Sequence, residues 1–238
     1  EVPVGGHAAD TAVILPDTGL LMPVLHHLPR ADINVSMGYP LARSPLFRLI
    51  DTILRLQENR RDQGYYWRDL VELVRHPYLK MLSPTGGSPG TSSTLRQELG
   101  RFEQALRGFA VNYPDPFAVL ADARLHTDTG SAAPPEVAVL AEQVLRTTLT
   151  AFERPTTPRG MGEALEDLCS LLLGHGRPLW DRFLIDAECL YRLMQSVIPE
   201  LTQSALAGEE FTPSTLFALV RQLLDAERVP FDATPLVG

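Results

Sequence analysis

The sequence changes its pattern near residue 44, and this change constrains the fold more than any other feature. Before that point, the runs "TAVILP" (11–16) and "INVSM" (33–37) are short and apolar or β-branched, as in buried strands. Between them an apolar stripe from Leu20 to Leu28 has helical spacing. A strand, a helix and a second strand in one sheet usually pair in parallel through a right-handed crossover. The first part of the chain therefore predicts a small α/β fragment.

From residue 44 onward, almost every segment has helical periodicity. Ser44-Pro45 and Thr212-Pro213 each place a capping side chain before a proline at the first helical position, where the missing N–H costs nothing. The stretch 83–93 is rich in Gly, Ser and Pro and predicts a loop, and "RVPF" (228–231) predicts another strand. Pro199 is expected to break the helical pattern in which it lies. The predicted helices cover about 46–57, 67–75, 95–110, 116–123, 135–152, 161–173, 180–206 and 213–224.

These patterns together predict a mainly α fold, in which a helical bundle insertion is attached to a small α/β fragment (strand-helix-strand, parallel). The expected organisation is a partial α/β fragment over 9–58 and an all-helical insertion over 59–226. A return towards the α/β part follows over 227–238. Because neither end has the pattern that closes a domain, we expect the chain to be a piece of a longer protein.

Composition narrows the classes of function. The net charge of −8 argues against a broad phosphate-binding surface, although a local arginine cluster stays compatible with it. No apolar run approaches the roughly 20 residues that cross a bilayer, so no membrane partner is expected. Cys169 and Cys189 lie in separate helical patterns and predict reduced core thiols. A cytoplasmic location follows as the default expectation.

Motifs of common enzymes are incomplete in this chain. "GGSPG" (86–90) has the outline of a nucleophile elbow, but Pro89 lacks the N–H that an oxyanion hole needs there. A nucleotide phosphate loop needs Gly-Lys-Ser/Thr, and the only lysine, Lys80, follows Leu79. A PD-(D/E)xK nuclease needs a carboxylate two residues before its lysine, where Tyr78 stands. We therefore predict no catalytic, cofactor-binding or metal-binding residue in this chain.

The stretch 57–70 interleaves arginines with Tyr65, Tyr66 and Trp67, a combination that in other proteins stacks bases and neutralises phosphates. Acidic residues within the same stretch dilute its charge. A corner between two helices, with the aromatic side chains in its core, is the favoured interpretation.

Two stretches carry a family resemblance. "TAVILPDTGLLMPVLHHLP", followed by "INVSMGYPLARSPLFRLIDTILRLQ", resembles a segment of the AddB/RecB-like helicase–exonuclease proteins, the UvrD-like helicases that also bear a PD-(D/E)xK nuclease domain. "YYWRDLVELVRHPYL" and the final "RVPFDATPLVG" also resemble parts of such proteins, whereas about 85–210 is similar only in its helical character. The resemblance implies the start of the second RecA-like lobe and the helical insertion that interrupts it.

The resemblance also implies a role. The chain would be a non-catalytic segment of a helicase–exonuclease that processes double-strand breaks in DNA repair, and it would guide single-stranded DNA or dock a partner subunit. ATP and Mg would be bound only by the intact parent, which is expected to be an ATP-dependent helicase and exonuclease.

Tyr39 and Arg43 are the DNA-contact candidates that the resemblance implies. Gly38 would give the backbone freedom to leave the strand, and Pro40 would keep Tyr39 out of the helical region. The alternative for this pair is structural: a turn residue packed on the next helix, and a solvated arginine.

A different class of function stays open for the whole chain. The −8 charge and the many amphipathic helices are also typical of a helical protein–protein interaction module unrelated to DNA, whose apolar grooves take partner helices.

Overall fold

The computed structural model describes residues 15, 24, 27, 38–62, 64–84, 91–109, 111–125 and 133–229. The chain divides into two compact units. One unit contains both ends, Glu1–Tyr39 and Arg228–Gly238, and the other is the continuous stretch Pro40–Glu227, called the helical unit below. The predicted insertion 59–226 falls inside the helical unit. The boundaries predicted for the α/β part stay a prediction.

The described chain is mainly α, as predicted. A π-helical segment (Leu193–Val197) joins the helices Leu184–Arg192 and Ile198–Gln203, and short 3₁₀ helices occur at Leu41–Arg43 and Thr150–Phe152. The strands are β1 (Tyr39–Pro40) and β2 (Arg228–Val229). The α-helices are α1 (Pro45–Glu58), α2 (Trp67–Arg75), α3 (Pro77–Lys80), α4 (Thr91–Gly108), α5 (Pro116–Leu125), α6 (Pro135–Thr148), α7 (Pro158–His175), α8 (Arg177–Arg182), α9 (Leu184–Arg192), α10 (Ile198–Gln203) and α11 (Pro213–Ala226).

Side-chain caps fix the start of three long helices. The Ser44 hydroxyl accepts from the Phe47 N–H at 3.1 Å and starts α1, and Thr212 accepts from Thr215 N at 3.3 Å and starts α11. These confirm the two predicted cap-and-proline starts. A third cap was missed, because Thr157 starts α7 three residues before the predicted beginning of that helix.

The predicted helix 67–75 is confirmed with both of its ends. The short helix that follows it was not predicted, and two other boundaries were wrong. A short helix, α3, follows α2, and it is capped by the ring Nδ1 of His76, which accepts from Tyr78 N at 3.3 Å. The predicted loop 83–93 ends earlier, because α4 begins at Thr91. The predicted helix 180–206 is interrupted at Phe183, not at Pro199. The wide turn of the π segment gives the Pro199 ring the room that a regular α-helix lacks.

The two strands form an antiparallel pair, which confirms the start of the strand predicted at 228. A Cβ atom on Gly38 would lie 2.8 Å from the Arg228 Cβ and 3.3 Å from the Val229 carbonyl oxygen. Gly38 therefore allows close approach of two chain segments, and the strand begins after it. Both described residues of the predicted first helix, Val24 and His27, are helical. The strands predicted at 11–16 and 33–37 lie outside the described residues, except for Leu15.

The core of the helical unit is built by sequential packing of helices. α1 packs on α2, α2 on α4, and α4 on both α5 and α6, while α6 leads to α7 and α7 packs along α10. α11 returns to α1 and to the 3₁₀ helix at Leu41–Arg43. The C-terminal helix of the unit thus closes against its N-terminal helix. Burial of leucine and other apolar side chains along these contacts supplies the main driving force for this arrangement.

Candidate functional site

Arg43 lies on a short, well-braced turn at the beginning of the helical unit. It is the last residue of the 3₁₀ helix and is exposed, whereas Leu41 is fully buried. Ser44 braces the turn, because its N–H and its hydroxyl both donate to the Leu41 carbonyl, at 2.9 and 2.6 Å. Through the Phe47 N–H, the same hydroxyl also starts α1. The backbone at Arg43 is therefore held by hydrogen bonds between the residues before and after it.

Tyr39, the other candidate, lies in β1 and is half-buried. It belongs to the unit formed by the two ends of the chain, whereas Arg43 belongs to the helical unit. Each of these two residues takes part in interactions within the protein. Their predicted role in contacting DNA stays a prediction.

Many arginines in the described parts of the chain are already matched by carboxylates. The bonds include a 2.6 Å contact from Arg55 Nη2 to Glu72 and a 2.7 Å contact from Arg75 Nη2 to Glu103. Such pairing leaves little uncompensated positive charge for a run of phosphates, which is consistent with local contacts only. In the described parts of the chain, the arginines with a carboxylate within 4.0 Å include Arg55, Arg60, Arg75, Arg101, Arg107, Arg124, Arg146, Arg177, Arg192 and Arg221.

The stretch 57–70 forms a corner between α1 and α2, as predicted, but only Tyr65 of its three aromatic residues is buried, and Tyr66 and Trp67 are half-buried. Tyr65 is 1% exposed, and its hydroxyl donates to Glu153 at 2.7 Å. Burial, followed by the hydrogen bond to Glu153, raises the pKa of the Tyr65 phenol above its usual range. Arg61 lies over the ring of Tyr113, with its guanidinium carbon 4.9 Å from the ring centroid. Of the aromatic residues of this corner, Tyr65 therefore contributes to the core of the helical unit.

Gly64 makes this corner possible. Its N–H and carbonyl both pair with Arg61, at 2.9 and 3.1 Å, across a tight turn in which Asp62 has a φ of 52°. A Cβ on Gly64 would lie 2.1 Å from the Tyr113 carbonyl oxygen, a distance that no side chain tolerates. The sequence signal for this turn is the Asp-Gln-Gly triplet (62–64) between two helical patterns.

An exposed apolar corner was missed in the sequence analysis. Phe183, Leu184 and Ile185, at the junction of α8 and α9, are 40%, 76% and 45% exposed. The signal was available, because three consecutive apolar residues at a helix start cannot all face one core. We call these three residues the α8–α9 corner.

The two cysteine thiols are buried and stay protonated at neutral pH. Both cysteines are free and buried, as predicted, and burial raises the pKa of the Cys169 thiol to about 12 and that of Cys189 to about 11. Among the residues that the structure describes, no cluster of His, Cys, Asp and Glu side chains could hold a metal ion. The "GGSPG" stretch lies outside the described residues. In the same described parts, no helix is both long and apolar enough to cross a membrane.

Comparisons with protein-family models, with curated proteins and with solved structures find no match to this chain. The resemblance to the AddB/RecB-like proteins therefore rests on the stretches quoted above, and it stays a prediction.

Proposed function

We propose that this chain is a helical insertion from a helicase–exonuclease of the AddB/RecB-like type. In this proposal it is a non-catalytic part of a cytoplasmic DNA-repair protein that processes double-strand breaks. It guides single-stranded DNA or docks a partner subunit, while ATP and Mg are bound elsewhere in the parent.

One hydrogen bond carries the insertion part of the proposal. The N–H of Leu41, at the beginning of the helical unit, donates to the carbonyl of Glu227, the last residue of that unit, at 3.1 Å. The chain therefore enters and leaves the helical unit at adjacent points. A domain whose two ends are adjacent can interrupt another domain without disturbing its fold. This geometry supports a helical unit inserted within a larger protein.

The DNA part of the proposal rests on Arg43 and Tyr39. Arg43 is an exposed guanidinium on a braced turn, which is suited to a single phosphate contact. Tyr39 is a half-buried aromatic ring, and aromatic rings stack on unpaired bases. With a net charge of −8 and so many paired arginines, the expected binding is weak and depends on a few contacts.

Titration with a fluorescently labelled oligothymidine at 50 and 200 mM salt tests this role in the whole chain. We expect binding that weakens as salt increases, because each phosphate contact releases a counterion. Arg43→Ala should weaken binding about three- to tenfold and flatten the salt dependence by roughly one contact. Arg177→Ala is the matched control, because it removes the same charge from a side chain that is 89% exposed.

The proposal fails if the wild-type chain does not bind the oligonucleotide at 50 mM salt, or if Arg177→Ala weakens binding as much as Arg43→Ala does. The parent gene provides a separate test. A reading frame with neither a phosphate-loop segment upstream nor a PD-(D/E)xK segment downstream would remove the basis for the insertion.

The α8–α9 corner favours a second candidate, a helical protein-interaction module. Leu184 is 76% exposed and flanked by two further apolar side chains, an arrangement that suits a partner helix better than a phosphate backbone. The same titration separates the two candidates. DNA binding that survives Leu184→Ser but not Arg43→Ala favours the first, and absence of DNA binding at low salt favours the second.

A further inference from the structure

Glu227 contacts both the first turn of the helical unit and a helix inside that unit. Its backbone carbonyl accepts from Leu41 N at 3.1 Å, and its side chain, 19% exposed, turns towards the C-terminal end of α9. There one carboxylate oxygen accepts from the Ser196 hydroxyl, and the other lies 3.7 Å from Arg192 Nε. Arg192, Ser196 and Glu227 are called the Glu227 cluster below.

The π segment positions Ser196, and therefore part of the Glu227 cluster. Arg192 and Ser196 are four residues apart, so a helix carries them on one face, and that face meets Glu227. The Ile198 N–H donates to the Leu193 carbonyl, five residues earlier, which marks the wide turn. α11, which ends one residue before Glu227, packs against this π segment. The carboxylate is therefore bound by a segment that is not a regular helix.

Pro199 explains why the wide turn persists. Proline has no N–H, and in a regular α-helix its ring would clash with the carbonyl of Gln195. A π turn relieves that clash, and such turns are frequent at functional sites of helices. The π segment is therefore a built-in irregularity beside the point where the chain leaves the unit.

We propose that the Glu227 cluster is a latch, which holds the two ends of the helical unit together and can release them locally while the helices stay folded. In the latched state, Ser196 and Arg192 position the Glu227 side chain, and this keeps the Glu227 carbonyl in place for the Leu41 N–H. Loss of the side-chain contacts releases Glu227, the last residue of the helical unit, from Leu41. The proposal concerns the helical unit alone and holds whether or not the chain binds DNA.

Residue-resolved hydrogen exchange on the whole chain tests the latch. Exchange at the Leu41 amide reports whether the two ends of the helical unit separate. Exchange at the amide of Leu168, whose side chain is fully buried in α7, reports whether the helices unfold. Ser196→Ala should accelerate exchange at Leu41 about five- to tenfold, because one partly buried hydrogen bond is removed, and leave Leu168 unchanged. Ser170→Ala, on the exposed face of α7, is the matched control and should change neither amide.

Glu227→Gln and Glu227→Ala complete the test. The glutamine amide oxygen can still accept from Ser196, so Glu227→Gln should keep the Leu41 amide protected to within about twofold. Glu227→Ala should accelerate its exchange at least as much as Ser196→Ala does. Unchanged exchange at Leu41 in Ser196→Ala, or equal acceleration at Leu41 and Leu168, overturns the latch.

Discussion

Arg221 binds Glu58 through both guanidinium Nη atoms, which donate to the two carboxylate oxygens of Glu58 at 2.6 and 3.0 Å. Its Nε donates to Asp51 at 2.7 Å. These bonds hold α11 against two turns of α1, and they raise the pKa of Arg221 above its already high value. A planar fork of donors is needed for this geometry, and only arginine has it.

Arg221→Lys should therefore lower the free energy of unfolding by about 1 kcal/mol, although the charge is kept. Urea unfolding measures the change. Arg146→Lys is the control, because Arg146 pairs with Glu142 one turn away on a surface where its side chain is 63% exposed. That pair should contribute no more than about 0.5 kcal/mol. Equal losses in the two variants would contradict a special role for the fork.

Two glycines of α7 should respond in opposite ways to alanine. A Cβ on Gly162 would lie 2.5 Å from Thr202 Cγ2 and 3.3 Å from Leu201 Cβ, where α7 and α10 pack together. Gly162→Ala should destabilise the protein by roughly 1–3 kcal/mol, because the two helices must move apart. A Cβ placed on Gly174 would instead meet open space, with no neighbouring group within 4 Å.

Gly174→Ala should instead stabilise the protein by about 0.5 kcal/mol, since alanine is the better helix former. Thermal and urea unfolding of the two variants measure both effects against wild type. If Gly162→Ala is neutral, α7 and α10 are not in the close contact described here.

Local signals were the most predictable part of the fold. Ser44-Pro45 and Thr212-Pro213 placed two helix starts correctly, because a cap and a proline act within a few residues of each other. Thr157-Pro158 has the same chemistry and was missed, because the apolar stripe that drew attention begins only at Met161.

Features that depend on tertiary structure could not be predicted. The bond between Arg221 and Glu58 joins residues 163 apart, and nothing in either sequence neighbourhood specifies the partner. At Pro199 the sequence predicted a break in the helix, whereas the chain continues through a π turn just before this proline. For the candidate site, the sequence offered a solvated Arg43 as the alternative to a DNA contact, and Arg43 is exposed. The short 3₁₀ helix that presents it was not predicted, because its bracing depends partly on Glu227, far along the chain.

The buried hydroxyl of Tyr65 should contribute measurably to stability. It donates to Glu153, which also pairs with Arg60 at 3.1 Å. Tyr65→Phe should lower the free energy of unfolding by about 1–2 kcal/mol, because an acceptor in a partly buried network loses its donor. Tyr191→Phe, at a side chain that is 56% exposed, should change it by less than about 0.5 kcal/mol. Similar losses in both variants would show that the Glu153 network is not what stabilises the corner.

His76 should make stability fall in mildly acidic solution. Its Nδ1 accepts from Tyr78 N at 3.3 Å, so its Nε2–H donates to the Pro45 carbonyl at 3.1 Å, and the ring is neutral. Burial lowers the pKa of His76 from 6.5 to about 4.

Between those two values the unfolded chain binds a proton at His76 and the folded chain does not, so this contribution is present above pH 6.5 and is lost as the pH falls towards 4. The free energy of unfolding should therefore fall by about 2 kcal/mol between pH 7.5 and pH 5 because of His76. Urea unfolding at both pH values measures it in wild type and in His76→Gln, which keeps every carboxylate and removes only this titration. Across that pH interval the free energy of unfolding of His76→Gln should fall by about 2 kcal/mol less than that of wild type. The same loss in both proteins would mean that His76 takes up its proton equally in the folded and unfolded states, and the buried cap of α3 would then not be the cause.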